Sequence, residues 1–163
     1  MISLTVLLVL IGANLAIGSG KLKLEKVISE SMEPTLMVGD TLLVDANGFP
    51  DRYTVVVLND PEEADGKLVK RIIGMPGDRL KIQGGIIYLN GQEEYSTEIE
   101  ANAVETPDMR VTVPAGKIFV MGDNRNNSAD SREFGAVPIE SIVGTVKAVI
   151  WPPSRWCKPK PIH

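Results

Sequence analysis

Residues 67–78 read KLVKRIIGMPGD. A short run rich in branched apolar side chains ends at Gly74 and is followed by Pro76-Gly77-Asp78, so the stretch predicts a strand over Lys67–Ile73 closed by a turn. Lys70 is the unusual member, with Leu68, Val69, Ile72 and Ile73 around it. Successive side chains of a strand point to opposite faces, so Lys70 alternates with Val69 and Arg71. An inward-facing lysine is one reading; an ordinary strand lysine that snorkels to water is the other.

The same pattern recurs on both sides of this stretch. Short β-branched runs predict strands at Thr41–Asp45, Tyr53–Leu58, Arg79–Gln83, Ile86–Leu89, Arg110–Val113, Ile118–Met121 and Ile142–Trp151. Gly39-Asp40, Gly84-Gly85, Asn90-Gly91 and Pro114-Ala115-Gly116 punctuate them. Asn90-Gly91 predicts a type I′ hairpin turn, since both residue types tolerate positive φ. No helical period is sustained after residue 26, so residues 21–155 predict one all-β domain. Residues 92–108 carry Glu93, Glu94, Glu98, Glu100, Glu105 and Asp108 with no basic residue, and predict a solvated loop or edge hairpin. The proline-rich tail, 156–163, is not expected to be ordered throughout.

With 163 residues the chain is about one domain long. A net charge of −4, no basic stripe and few aromatics argue against a nucleic-acid partner. The single cysteine, Cys157, excludes an internal disulfide framework. Residues 1–20 contain no ionisable side chain, and as a helix would span about 30 Å, the thickness of a bilayer core. A transmembrane anchor is the leading reading. The competing one is a cleaved signal ending near Ala16-Ile17-Gly18, which would lack the basic segment such peptides carry. Lys21, Lys23 and Lys26 follow the span, and by the positive-inside rule alone they would hold the domain in the cytoplasm.

The inventory of bases narrows the chemistry. The only histidine is His163, the last residue, so a Ser-His-Asp triad is nearly excluded. A second stretch, residues 27–40, VISESMEPTLMVGD, places Ser29 and Ser31 in a polar segment before a Gly-Asp turn. Most such serines only cap or close turns. If Ser31 is a nucleophile, its base must be a lysine or a carboxylate, and a lysine serves only if burial lowers its proton affinity. Lys70 is the lysine whose surroundings suit that task. No serine has a lysine three positions later, so the arrangement of penicillin-binding enzymes is absent.

Three segments, in order, resemble the type I signal peptidases, membrane-anchored Ser-Lys endopeptidases that remove signal peptides from exported proteins. They are Ser31-Met32-Glu33-Pro34-Thr35 with Gly39-Asp40, then Lys70 to Asp78, then Gly122-Asp123-Asn124-Arg125-Asn126-Asn127-Ser128-Ala129-Asp130-Ser131-Arg132. Asn126 departs from a common family version, which has aspartate there. The resemblance implies a mainly β fold: one N-terminal transmembrane helix, then coiled antiparallel sheets with a reduced second β-lobe over 79–117. It implies Ser31 as nucleophile, Lys70 as general base, and Ser29 with the Ser31 N–H as oxyanion hole. Ser128 would orient the lysine, Asp130 and Arg132 would support it as a charged pair, and Met32, Leu36, Leu68 and Val69 would line shallow subsites for small side chains. Core packing remains an equal reading for those four. No cofactor or metal is implied. The implied partners are signal peptides of exported preproteins and membrane lipid, with the catalytic domain on the extracytoplasmic face of the plasma membrane. Two alternatives stand beside this: a peptidase dedicated to one pilin or transfer protein, and a non-catalytic membrane-anchored β-domain that binds exported chains.

Overall fold

The computed structural model describes residues 20–93, 107–157 and 159; the expected anchor, most of the acidic segment 92–108 and the end of the tail lie outside these. No helix among the described residues is long and apolar enough to cross a membrane.

The described residues form β1 (Leu22–Lys26), β2 (Thr41–Asp45), β3 (Val55–Asn59), β4 (Lys67–Gly74), β5 (Arg79–Gln83), β6 (Ile86–Leu89), β7 (Gln92–Glu93), β8 (Met109–Thr112), β9 (Lys117–Met121), β10 (Val137–Pro138) and β11 (Ile142–Trp151), with a short helix, α1 (Ser131–Phe134). A seven-stranded sheet runs β1-β2-β11-β3-β4-β9-β10, and a four-stranded sheet runs β7-β6-β5-β8. All pairings are antiparallel. The smaller sheet is built from residues within the segment expected to form a second lobe.

The central strand β3 is apolar on both faces because both are covered. Val55 and Val57 pack with Met32, Leu36, Leu42, Val44 and Val149. Val56 and Leu58 pack with Ile72, Ile118, Val120 and Val137 on the other face. A third cluster, including Leu80, Ile82, Ile87, Val113 and Phe119, joins the smaller sheet to the larger. The joint itself is the Pro76-Gly77-Asp78 turn. Asp78 accepts from Arg52 Nη1 at 2.6 Å and Nη2 at 3.2 Å, from the Met75 N–H at 2.7 Å and from Asn90 Nδ2 at 2.9 Å. Burial alone would raise the Asp78 pKa, but the bonds from Arg52 and Asn90 outweigh it and hold the carboxyl below its ordinary value. Asn90 and Gly91 have φ of 53° and 88°, as the hairpin turn requires.

Two features of the larger sheet create a cleft. β9 pairs with β4 only from Arg71 to Gly74, so no strand among the described residues covers that edge of β4 from Lys67 to Lys70. The sheet also curls: β1 and β4 are separated by β2, β11 and β3 in strand order, yet Lys67 Nζ reaches Glu25 Oε1 at 2.5 Å. The open edge of β4 therefore faces the end of β1.

Gly74 sits where the two sheets meet. A Cβ there would lie 2.7 Å from Leu80 Cδ1, 2.9 Å from Val113 Cγ2 and 3.2 Å from Phe119 Cβ. Gly74→Ala is expected to destabilise the fold by about 1–3 kcal/mol through overpacking, read as a lowered midpoint of thermal or urea unfolding.

Candidate active site

Lys70 is the fourth residue of β4 and lies opposite Val56 of β3. Alternation puts it on the face of Leu68 and Ile72, and it is only 2% exposed. The inward reading of the sequence is the one the fold adopts. Burial lowers the Lys70 pKa below that of an exposed lysine; the Asp130 charge opposes this shift and the Arg132 charge adds to it.

Ser31 enters from a different element, the loop between β1 and β2. It is 8% exposed, and its hydroxyl lies 3.2 Å from that of Ser29, a contact in which either can donate. The backbone around it is anchored by the segment that follows β9. The Asn124 N–H donates to the Ser31 carbonyl at 3.0 Å, Asn124 Nδ2 to the Glu30 carbonyl at 3.1 Å, and Asn127 Nδ2 to Glu30 Oε2 at 3.1 Å. Gly122 is required at this crossing, because a Cβ would lie 2.4 Å from the Ser31 carbonyl oxygen and 2.2 Å from Ser128 Oγ.

Ser29, Ser31, Met32, Leu68, Val69 and Lys70 line one cleft of about 420 Å³ on the open edge of β4. A larger hollow of about 650 Å³ over the four-stranded sheet shares no lining residue with it and contains no serine. Leu36 differs from the expectation: it is fully buried in the core beside Met32 and does not line the cleft. The reason is local, since the Leu36 N–H bonds the Met32 carbonyl at 2.9 Å and the loop folds back on itself.

The supporting residues gather behind Lys70. Ser128 Oγ donates to Asp130 Oδ2 at 2.9 Å, so its proton goes to the carboxylate and its lone pairs remain for an amine. Asp130 also accepts from Arg132 Nε and Nη2, both at 2.8 Å, and from the Gly122 N–H at 2.9 Å. Burial would raise its pKa, but these donors, Arg132 first, hold it below the ordinary carboxylate value. Ser131 Oγ accepts the Val120 N–H at 3.0 Å and ties α1 to β9.

A family model described as signal peptidase, peptidase S26, matches residues 1–151. The chain belongs to the signal peptidase family. It is 37% identical to a probable signal peptidase I-1 of Synechocystis sp. over 142 residues, covering 78% of this chain and 70% of that protein. It is 40% identical to signal peptidase I U of Bacillus subtilis over 136 residues, covering 75% of this chain and 72% of that one. The crystal structure of a signal peptidase I from Enterococcus faecalis superposes with a TM-score of 0.55 at 30% identity, over 60% of this chain and 97% of that one.

Arg71 and Asp123 lie inside the segments that resemble the signal peptidases, and the resemblance implies no task for either. The structure joins them as a buried ion pair. Arg71 Nε donates to Asp123 Oδ1 at 2.9 Å and Nη2 to Oδ2 at 2.6 Å, while Nη1 reaches the Tyr53 carbonyl at 2.8 Å. Adjacency to Lys70 and to Gly122 was the available signal.

Gly122→Ala tests the crossing. The added methyl must displace either the Ser31 backbone or Ser128, and that displacement is expected to lower kcat about tenfold or more in a protein that still folds. Cleavage kinetics beside a thermal unfolding curve separate the two effects.

Proposed function

We propose that this chain is a membrane-anchored serine endopeptidase that removes N-terminal signal peptides from exported preproteins, with Ser31 as nucleophile and Lys70 as neutral base. The observation that carries this reading is that Ser31 and a dry Lys70 open onto the same cleft along an unpaired strand edge.

An extended peptide can add to that edge through main-chain hydrogen bonds, which need no particular side chains. Alternate residues of the added strand then point at the same wall, where Met32, Leu68 and Val69 leave room for small groups at the −1 and −3 positions. Lys70 takes the proton of Ser31 Oγ as the oxygen attacks the scissile carbonyl. The Ser31 N–H and the Ser29 hydroxyl receive the oxyanion, and the leaving amine takes the proton back from Lys70. Lys70 next draws a proton from the water that hydrolyses the acyl-serine. Ser128, Asp130 and Arg132 hold the amine in place and set its proton affinity without touching the reacting atoms.

The membrane setting rests on the apolar residues 1–20 and on an exposed apolar rim of the described domain. Ile28, Val38, Trp151 and Trp156 are 82%, 52%, 59% and 70% exposed. Backbone bonds between Val27 and both Gly39 and Asp40, and the pairing of Trp151 with Thr41, bring these segments to one end of the sheet. Such a rim, with two tryptophans, suits a site working at the surface of the plasma membrane; the extracytoplasmic face is proposed from the role of processing exported chains, against the lysines at 21, 23 and 26.

Detergent-solubilised protein is expected to cleave a preprotein after Ala-x-Ala and to lose all activity as Ser31→Ala. A substrate with Phe at −1 should be refused, and efficient cleavage of it would remove Met32, Leu68 and Val69 from the pocket.

The pH profile tests the base. Activity requires neutral Lys70, so the rate should rise with pH along an acidic limb set by the lowered Lys70 pKa. Arg132 contributes to that lowering, so Arg132→Gln should move the limb to higher pH. Lys70→Arg should be inactive although folded, because a guanidinium does not release its proton. Near-normal cleavage by folded Lys70→Arg would refute the dyad.

A further inference from the structure

The chain beyond the family match at residues 1–151 turns back onto the loop that carries Ser31. Pro153–Arg155 forms a single 3-10 turn. The segment is pinned to β11 by the Val149 N–H donating to the Cys157 carbonyl at 2.9 Å, and by the Trp156 indole N–H donating to the Ile150 carbonyl. This delivers Arg155 to the far limb of the loop. Arg155 Nε donates to both oxygens of Asp40, at 2.9 and 3.1 Å, and Nη2 donates to Asp40 Oδ2 at 3.0 Å and to the Thr35 carbonyl at 3.3 Å.

Asp40 is 1% exposed, and its carboxylate also accepts the Met37 N–H at 2.9 Å. A carboxylate that deep needs a charged partner. Asp40 in turn closes the loop: its carbonyl accepts the Val27 N–H and its N–H donates to the Met37 carbonyl. The loop is thus held at its start by Asn124 and Asn127 and at its return by Arg155. The guanidinium fork grips a backbone carbonyl and a carboxylate at once, which a lysine's single ammonium does less well.

We propose that Arg155 is a positioning residue for the nucleophile: by clamping Thr35 and Asp40, the C-terminal turn fixes the loop that presents Ser31 to Lys70. The segment after β11 is then part of the active-site scaffold. The kinetic arm of this inference rests on the peptidase reading above; its structural arm does not.

The test uses the full chain in detergent, with Arg155→Ala, Arg155→Lys, Asp40→Asn and the Arg155→Ala, Asp40→Asn double variant. Cleavage of a preprotein peptide gives kcat and KM, and amide hydrogen exchange compares Leu36 and Asp40 in the loop with Ile72 in β4. Arg155→Ala is expected to lower kcat about tenfold or more with KM little changed, since the binding edge of β4 is untouched. Exchange should accelerate at Leu36 and Asp40 and not at Ile72. Arg155→Lys should recover part of the loss, and the double variant should be no worse than the more impaired single one, because one interaction is lost in each. Wild-type kinetics and loop exchange in Arg155→Ala overturn the proposal. So does a loss accompanied by equal acceleration at Ile72, which would mark general destabilisation. If Arg155→Ala does not fold, Arg155→Lys decides: faster loop exchange with a reduced kcat supports the clamp, and wild-type values refute it. If the wild-type protein cleaves no preprotein peptide, the peptidase reading fails, and the exchange comparison still decides whether Arg155 holds the loop.

Discussion

The buried pair between Arg71 and Asp123 is the constraint on which the site depends. Arg71 follows Lys70 on β4, and Asp123 follows Gly122 at the point where the chain leaves β9. Both side chains are almost fully removed from solvent, at 2% and 0% exposure. Charges so deep are costly to desolvate, and the cost is recovered only with good geometry and with the remaining donors satisfied. The two-pronged contact and the third bond to the Tyr53 carbonyl meet that condition. The pair therefore locks the exit from β9 to the middle of β4. Ser31 is then hung from that exit by Asn124, and Ser128 and Asp130 are gathered around Gly122.

This arrangement explains how Ser31 and Lys70, far apart in sequence, reach one cleft without sharing an element. Lys70 is placed by the register of β4, and Ser31 by a loop that carries almost no regular structure of its own. A loop is a poor platform for a nucleophile unless its backbone groups are tied elsewhere. Here the ties come from Asn124 and Asn127 on one side, across a crossing that Gly122 leaves open, and from Arg155 on the other. Because β9 diverges from β4 at Arg71, the same exit that positions the serine also leaves the strand edge bare. One departure thus creates both the site and the room for a substrate strand.

Much of the fold was legible from residue patterns. The expected strands at Thr41–Asp45, Arg79–Gln83, Ile86–Leu89 and Ile142–Trp151 coincide with β2, β5, β6 and β11, since each is a β-branched run with a turn at its start or its end. β3 begins at Val55 and not at Tyr53, because Tyr53 has φ 65° and breaks the extended geometry while its N–H still bonds the Ile72 carbonyl. β1 was passed over although Leu22 and Leu24 alternate with charged residues; the adjoining apolar span drew the reading toward an anchor. β7, β10 and α1 are too short to carry a period, and each exists because a neighbour supplies its bonds, as Ile118 does for Val137.

The sequence by itself determined the class of fold, through local periodicity, and disfavoured a histidine base, because His163 is the only histidine; the three segments in which the chemistry would lie are what the family resemblance implies. Local pattern leaves the orientation of Lys70 between two readings, and only the packing of β4, which covers the face Lys70 shares with Ile72 and with Val56 of β3, decides it. Whether a residue lines a pocket was equally out of reach: Met32 and Leu36 have the same apolar character, yet one borders the cleft and the other is sealed in the core. The tasks of Arg71, Asp123, Asp40 and Arg155 also belong to the tertiary structure. An ion pair is defined by partners that meet in space, and the residues that meet here are 52 and 115 positions apart.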